Sequence, residues 1–342
     1  MTIGKLKSLK SNNKLLHYNN LFNWGELKNS PQYIKFVLML IFYEIIYNYK
    51  MKKFKNSSLY ILLFPAFFMM ALIIFFPIAF TFYISFFRWS GEGFKMNFTG
   101  FQNYIDMFRD ARFLNALVNN IFWVILYLII PVIGGFILAL LLNSNLKGLT
   151  VFKTIFYLPG VISFVVVGVI FRLIYDPSHG LVNEILKFLH LVFLARPWLG
   201  SRFVGLLSLI IASSWQYIGF CMILFLAGMQ SLPLEVFEAS EIDGANFYQK
   251  VVHIMIPLLK PVSIVVIMIT LINSIRVFDL IYIMTKGGPL QATETIGFLM
   301  YEKAFRQHVY GEGAAYGIFI FLLVTIPSII YVRNMLKTEE EY

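Results

Sequence analysis

Long apolar stretches separated by short polar segments dominate the pattern of this chain. Six stretches are uncharged, or nearly so, and approach the roughly 20 residues that a helix needs to cross the hydrocarbon core of a bilayer. They cover 59–87, part of 113–146, about 150–175, 203–229, about 261–285 and 313–332. Membrane-spanning strands would be about 10 residues long and strictly alternating. The pattern therefore predicts an all-α membrane protein with six transmembrane helices.

Positive charge next to the first stretch predicts the orientation. Lys50, Lys52, Lys53 and Lys55 directly precede it, and lysine and arginine concentrate on the cytoplasmic side of membrane helices. We therefore expect the N-terminus inside the cell, and six crossings return the C-terminus to the same side.

Domain limits follow from this arrangement. We expect residues 1–58 to form a basic cytoplasmic N-terminal extension, 59–335 the six-helix transmembrane domain, and 336–342 a short cytoplasmic tail. A shorter apolar run at 34–47 contains Glu44. It fits a surface helix better than a seventh span, because a carboxylate at mid-bilayer is unfavourable.

Composition supports a membrane protein and argues against an enzyme. The chain of 342 residues is 59% apolar and 13% charged, about half the charge of a soluble domain. The net charge of +10 is concentrated in the N-terminal extension, so we expect no nucleic-acid partner. The sequence contains no P-loop motif, no cluster with zinc-ligand spacing and no serine-nucleophile motif. We therefore expect no bound metal, no catalytic residue and no ATP site in this chain.

The polar segment 231–261, between the fourth and fifth spans, predicts two short helices joined at a glycine. Pro233 suits a helix start, and Gly244 suits a left-handed stop. The second helix should run from about 246 to Pro257, where proline breaks it.

Three glutamates give the first of these helices an acidic face. Glu235, Glu238 and Glu241 recur every three residues and therefore lie on one side of the helix. Such a face suits docking on a partner with basic groups. The alternative is an ordinary connecting loop whose acids only face water.

Polar residues within the fourth and fifth spans are candidates for a substrate path. They are Trp215, Gln216, Tyr217, Asn273, Arg276 and Asp279. Ionisable groups inside membrane helices normally face the protein interior or a water-filled path, and aromatic faces beside amides suit a sugar. The alternatives are a structural ion pair between Arg276 and Asp279, which are three residues apart, and aromatic rings that face lipid or core.

The 231–261 segment resembles the coupling motif of permeases of binding-protein-dependent ABC importers. That motif reads Glu-Ala-Ala, three residues, Gly, nine residues, Ile-x-Leu-Pro. Here the spacing is intact, with Ser240 in place of the second alanine and Ile256 in place of leucine. The matching positions that the resemblance assigns to ATPase coupling are Glu238, Ala239, Asp243, Gly244, Ile254 and Pro257.

The resemblance extends from about residue 51 to the C-terminus and is strongest to the carbohydrate branch. The segments 278–280, 287–289 and 301–305, which read FDL, GGP and YEKAF, are similar to that branch. The resemblance implies a multi-pass subunit of a bacterial-type cytoplasmic membrane that imports a sugar, an oligosaccharide or a polyol phosphate.

The resemblance also implies the partners. They are a second permease, an ABC ATPase dimer that binds the ATP, an extracytoplasmic solute-binding protein and membrane lipid. Two alternatives stay open on the residues alone: a secondary carrier driven by an ion gradient, and a membrane-embedded scaffold or enzyme.

Overall fold

The computed structural model describes residues 56–93, 95–144 and 148–340, with side chains over 63–93, 95–144 and 148–333. Most of the predicted N-terminal extension, including the run at 34–47, lies outside the described residues. The chain divides into two units, 1–77 and 78–342.

The described part of the first unit is helical and apolar. It contains α1 (Asn56–Met70), a π-helical turn (Ala71–Phe75) and the start of α2 (Phe76–Ile84). Pro77 explains the π turn, because a proline ring clashes with the carbonyl four residues earlier. The amide of Phe76 bonds instead to the carbonyl of Ala71, five residues back, which widens the helix at that point.

The second unit begins with short elements and two long helices. A hairpin of β1 (Phe87–Arg88) and β2 (Asn97–Phe98) pairs antiparallel and precedes α3 (Gln102–Arg109). The next helices are α4 (Ala111–Leu142), α5 (Leu149–Val161), α6 (Phe164–Ile174), α7 (Leu181–Phe188), a 3-10 turn (Val192–Leu194) and α8 (Arg202–Gln230).

The polar segment after α8 contains α9 (Leu234–Ile242), α10 (Phe247–Gln249), a π turn (Lys250–Met255) and α11 (Ile256–Leu258). The remaining elements are α12 (Lys260–Ile275), α13 (Asp279–Met284), α14 (Ile296–Tyr301), a π turn (Glu302–Arg306) and α15 (Tyr310–Glu340). The predicted tail at 336–342 therefore begins inside the last helix.

The six-span prediction is confirmed. Five helical segments in the described ranges are long and apolar enough to cross a membrane: Leu63–Ile84, Ala111–Leu142, Arg202–Gln230, Lys260–Met284 and Tyr310–Arg333. The pair α5 and α6 becomes a sixth span when its two helices are counted together, although they meet at a bend of 98°.

Helix α4 shows how the apolar pattern sorts its faces. Its exposed face carries an isoleucine every four residues, at 121, 125, 129, 133 and 137. The opposite face is buried and carries Asn119, Asn120, Trp123, Tyr127, Pro131, Gly135 and Ala139. Because i and i+4 lie on one side of a helix, one stripe suits lipid and the other suits the protein core.

The main core forms around α8, which is largely buried. Ala212, Cys221, Met222 and Phe225 of this helix pack in one cluster with side chains of α4, α6 and α12. A second cluster joins α3, the start of α4, α14 and α15. Helix α8 is thus the central element of the described bundle.

Close approach of α4 and α8 requires glycine at position 135. A Cβ atom there would lie 2.4 Å from the Cβ of Cys221 and 2.8 Å from the backbone nitrogen of Met222. We expect Gly135→Ala to lower the free energy of unfolding by about 1–3 kcal/mol, the usual effect of overpacking a core. Gly134→Ala is the matched control, because its nearest neighbour is the flexible end of Ile218 at 3.3 Å. Thermal unfolding in detergent would compare the two, and equal midpoints would contradict the packing argument.

Candidate coupling loop and substrate path

The loop at 231–261 has the predicted helix–turn–helix form. Helix α9 begins after Pro233, and Gly244 ends it with a φ of +77°. Asn246 then begins the second limb with a capping box, in which its side chain accepts from the amide of Gln249 and the Gln249 side chain accepts from the amide of Asn246. Each limb therefore has a defined start.

The sequence predicts that the second limb breaks at Pro257, but the limb continues through this proline. A π turn precedes this proline, and the amide of Ile256 bonds to the carbonyl of Val251. Widening the helix removes the clash between a proline ring and the carbonyl four residues earlier. The limb consequently continues to Leu258 and passes almost directly into α12.

The turn around Gly244 presents both charge and apolar surface. Glu238, Ala239, Asp243 and Pro257 are exposed, while Ile254 is half-buried. Large apolar side chains beside the glycine are also exposed, with Ile242 at 87%, Tyr248 at 70% and Phe247 at 69%. We call residues 238–248 the Gly244 ledge. Its apolar members were missed by the sequence reasoning, although apolar residues on both sides of a polar turn were a visible signal.

Packing and an ion pair hold the ledge against the bundle. Phe237 and Leu232 pack on the main core. Phe237 therefore points into the bundle, away from the acidic face of α9. The ammonium of Lys250 lies 2.6 Å from the carboxylate of Glu241 and links the two limbs. Glu238 and Glu235 remain exposed.

The predicted path residues of α8 point in different directions. Trp215 is 42% exposed, with its ring edge-on to Phe171 at 5.4 Å. Gln216 is buried and donates from its side-chain nitrogen to the carbonyl of Ile162, at the bend between α5 and α6. Gln216 therefore satisfies a backbone group at that bend.

Tyr217 and Asn273 form one polar pair between the fourth and fifth spans. The side-chain nitrogen of Asn273 donates to the hydroxyl of Tyr217 at 3.0 Å. Tyr217 is buried, whereas Asn273 is exposed. This pair brings together two of the predicted path residues at an accessible surface.

The three-residue spacing of Arg276 and Asp279 predicts that they share one helical face. This prediction is wrong. Arg276 is the C-cap of α12, Phe278 has a φ of −146° and a ψ of −54°, and α13 begins at Asp279. The three-residue spacing assumes a continuous helix, and the backbone between them is not helical. Among the described side chains, no ion pair joins Arg276 to Asp279, and both are exposed.

A polar network that the sequence reasoning missed holds the segment after this break. The guanidinium of Arg112, at the start of α4, donates two hydrogen bonds to the buried carboxylate of Glu294, one of 2.6 Å. Asn119 donates to the carbonyls of Ala292 and Glu294. Arg112 and Glu294 are 182 residues apart in sequence, and no local pattern connects them.

Asn120 extends the network to both sides of the break. Its side-chain nitrogen donates to the carbonyl of Ile275, and its oxygen accepts from the amide of Ile296 at 2.8 Å. Thr295 donates to the carbonyl of Val277. Span two thus supplies the partners for backbone groups at the end of α12 and the start of α14.

The fold and the loop define a multi-pass helical permease of the membrane. Residues 131–335 match the family of the binding-protein-dependent transport system inner membrane component, and the chain belongs to this family. The family that the 231–261 motif predicts is therefore confirmed. Members of this family are permeases, not enzymes.

Individual relatives agree with this assignment. The chain is 35% identical to the probable ABC transporter permease protein YurN of Bacillus subtilis, over 82% of this chain and 97% of the relative. It is also 35% identical to the arabinooligosaccharides transport system permease protein AraP of the same species, over 79% and 87%. A crystal structure of a bacterial ABC transporter that imports alginate shares the fold, with a TM-score of 0.70 at 23% identity over 82% and 96% of the two chains.

The Arg112–Glu294 pair should be essential for stability. Glu294 is 3% exposed and Arg112 is 22% exposed, so removing the carboxylate leaves a partly buried guanidinium unpaired, and the cost should fall below the roughly 3–5 kcal/mol typical of fully buried pairs. We therefore expect Glu294→Gln to lower the amount of folded protein in membranes sharply. Glu184→Gln is the control, because its pair with Lys187 is exposed on both sides and such pairs contribute only about 0–1 kcal/mol. Fluorescence-detected size exclusion would measure both, and a normal profile for Glu294→Gln would contradict this assignment.

Proposed function

We propose that this chain is the permease subunit of an ATP-driven importer for a sugar or an oligosaccharide. Family membership supports the importer, and the relative named for arabinooligosaccharides supports the substrate class. The observation that most supports coupling to an ATPase is the Gly244 ledge. This surface lies on the loop with the family motif and exposes both charged and large apolar side chains. A chain without a P-loop needs an ATPase partner, and the ledge is where we place that partner.

The ledge is built to transmit movement into the spans. Phe237 ties its first limb to the core around α8, and Met255 and Leu259 are buried at the end of the second limb, next to α12. The Glu241–Lys250 ion pair links the limbs. A displacement of the ledge by an ATPase would therefore reach the ends of both helices together.

The other partners complete the proposed assembly. A second permease would face this one across the substrate path, an ABC ATPase dimer would bind the ATP, and an extracytoplasmic solute-binding protein would deliver the substrate. Alternating access between the two sides of the membrane would follow from rocking of the helices around a fixed site.

We place the substrate path along the accessible side of the Tyr217–Asn273 pair. Asn273 offers an exposed amide that the hydroxyl of the buried Tyr217 positions, and Trp215 of α8 offers an exposed aromatic ring. Arg276 and Asp279 are exposed beyond the end of α12 and form the charged end of the same path. Gln216 stays outside this assignment, since its donor is bonded to the Ile162 carbonyl.

Charge reversal at the ledge tests the coupling. Glu238→Lys would place a positive charge against the basic surface that we propose on the ATPase, so we expect transport and ATPase pull-down to be lost while membrane insertion stays normal. Glu92→Lys, another exposed carboxylate outside the loop, is the control. Normal ATP-dependent uptake by the Glu238 variant would contradict the coupling proposal. Uptake driven by an ion gradient without ATP would favour a secondary carrier.

The Gly244 turn gives an independent test of the same surface. A Cβ atom at this position meets no atom within 4 Å, and φ is +77°, so Gly244→Val acts through backbone strain of about 1–2 kcal/mol. We expect it to abolish transport. Gly100→Val is matched, because Gly100 also has open space and a positive φ of +59°. Equal uptake by the two variants would show that the turn shape has no role in coupling.

Asn273 should affect the concentration dependence of uptake. Losing one hydrogen bond costs about 0.5–1.5 kcal/mol, so we expect Asn273→Ala to raise the half-saturation concentration by roughly two- to tenfold. Tyr217→Phe removes the same internal hydrogen bond but keeps the exposed amide of Asn273, so its effect should be smaller. If both variants shift uptake equally, the pair is structural and the path lies elsewhere.

A further inference from the structure

The segment between α6 and α8 carries an apolar surface that the described chain leaves uncovered. Helix α7 exposes one row of large side chains, and the turn after it continues the row. We call this row the α7 patch; its exposed fractions run from 48% to 84%, and it consists of Leu181, Ile185, Phe188, Leu189, Val192 and Phe193. Leu181, Ile185 and Phe188 lie at i, i+4 and i+7, the spacing of one helix face.

The opposite face of α7 is fastened to the bundle. Asn183 is buried, its side-chain nitrogen donates to the carbonyls of Pro177 and Arg196, and its oxygen accepts from the indole of Trp198 at 2.8 Å. Val182 packs against the main core. The exposure of the α7 patch is therefore the orientation that the packing imposes on the helix.

The turn that leads into α7 is also well defined. The carboxylate of Asp176 accepts hydrogen bonds from the backbone amides of His179 and Ser178, each at 2.9 Å. These bonds stabilise the charged form and hold the pKa of Asp176 below its usual range. Residues 175–180 thus form an ordered turn between α6 and α7.

Position along the chain places the α7 patch at a membrane surface. It follows α6 and precedes α8, and both of these helices belong to membrane spans. The exposed row Val165, Val169 and Leu173 of α6 runs up to the same end, with Leu173 at 69%. The α7 patch therefore belongs to a connection between two membrane helices and lies near the level where a span ends.

Charged groups border this surface. Lys187 pairs with Glu184 at 2.8 Å on the same helix, and both side chains are about half exposed. Helices with an apolar face and charged edges lie in the plane of the interface, with the apolar face about 5–10 Å into the headgroup and acyl boundary.

We propose that the α7 patch inserts into the lipid interface, so that α7 is an interfacial helix anchoring the connection between the third and fourth spans. The occupant of the α7 patch is lipid rather than a protein partner, because only residues 175–180 separate α7 from α6 and the chain re-enters a span at α8, which keeps this connection close to the bilayer surface. This inference is independent of the substrate and of the coupling to an ATPase.

Spin labels in vesicles test the position of α7. Single cysteines at Phe188→Cys and Phe193→Cys, in a Cys221→Ala background, would be compared with Lys187→Cys on the polar edge of the same helix. The vesicles contain phosphatidylethanolamine and phosphatidylglycerol. Oxygen concentrates among acyl chains and a nickel chelate stays in water, so we expect the oxygen-to-nickel collision ratio to be several-fold higher at 188 and 193 than at 187.

The other outcomes overturn the proposal. Equal nickel access at all three positions would place the α7 patch in water. Low access of both oxygen and the nickel chelate at 188 and 193 would place the α7 patch inside protein. If this low access appears only after a second permease or a binding protein is added, the α7 patch is a protein interface. The measurement needs no transport activity, so its failure is separate from failure of the proposed function.

Discussion

Backbone amide and carbonyl groups inside a bilayer have no water to bond, so each interruption of a membrane helix needs a partner from elsewhere in the chain. Two spans in the described part of the chain are interrupted, and polar side chains of neighbouring spans bond the backbone at both interruptions. Gln216 donates to the carbonyl of Ile162 at the bend of the third span. Asn120 bonds the carbonyl of Ile275 and the amide of Ile296 beside the break in the fifth. The buried amides of α4 and α8 follow from this requirement.

The same requirement separates two kinds of polar residue that look alike in the sequence. A side chain bonded to a backbone group at a break is buried, as Gln216 is through its side-chain nitrogen, although the Gln216 oxygen has no hydrogen-bond partner among the described residues. A side chain bonded to another side chain, with its own exposure retained, is free to exchange that partner, as Asn273 is with Tyr217. Partner type and exposure are therefore better guides to a path residue than polarity within a span.

The parts of the fold that the sequence predicted are those governed by local rules. Span length is imposed by the bilayer, and the turn at Gly244 needs a residue that tolerates positive φ. The breaks depend on partners far along the chain, so the helical spacing of Arg276 and Asp279 led to a shared face that does not exist. The Arg112–Glu294 pair was missed for the same reason. The motif predicted the position of the ledge, whereas the exposure of its apolar side chains depends on how the loop packs on the bundle.

The breaks also determine how far a movement of the ledge would travel under the proposed mechanism. The second limb passes into α12 with only Leu259 between them, so α12 would follow the ledge as a rigid body. Beyond Ile275 the backbone is no longer helical, and Asn120 and Arg112 hold Ile296 and Glu294 to span two. Asn120 also bonds the carbonyl of Ile275, so α12 would tilt about this end. The non-helical residues at 276–278 therefore lie between a part that can move and a part that is held, which is where a hinge absorbs changes in φ and ψ. Asn273 lies on the moving side and Glu294 on the held side, so the mouth of the proposed path would change shape as α12 tilts.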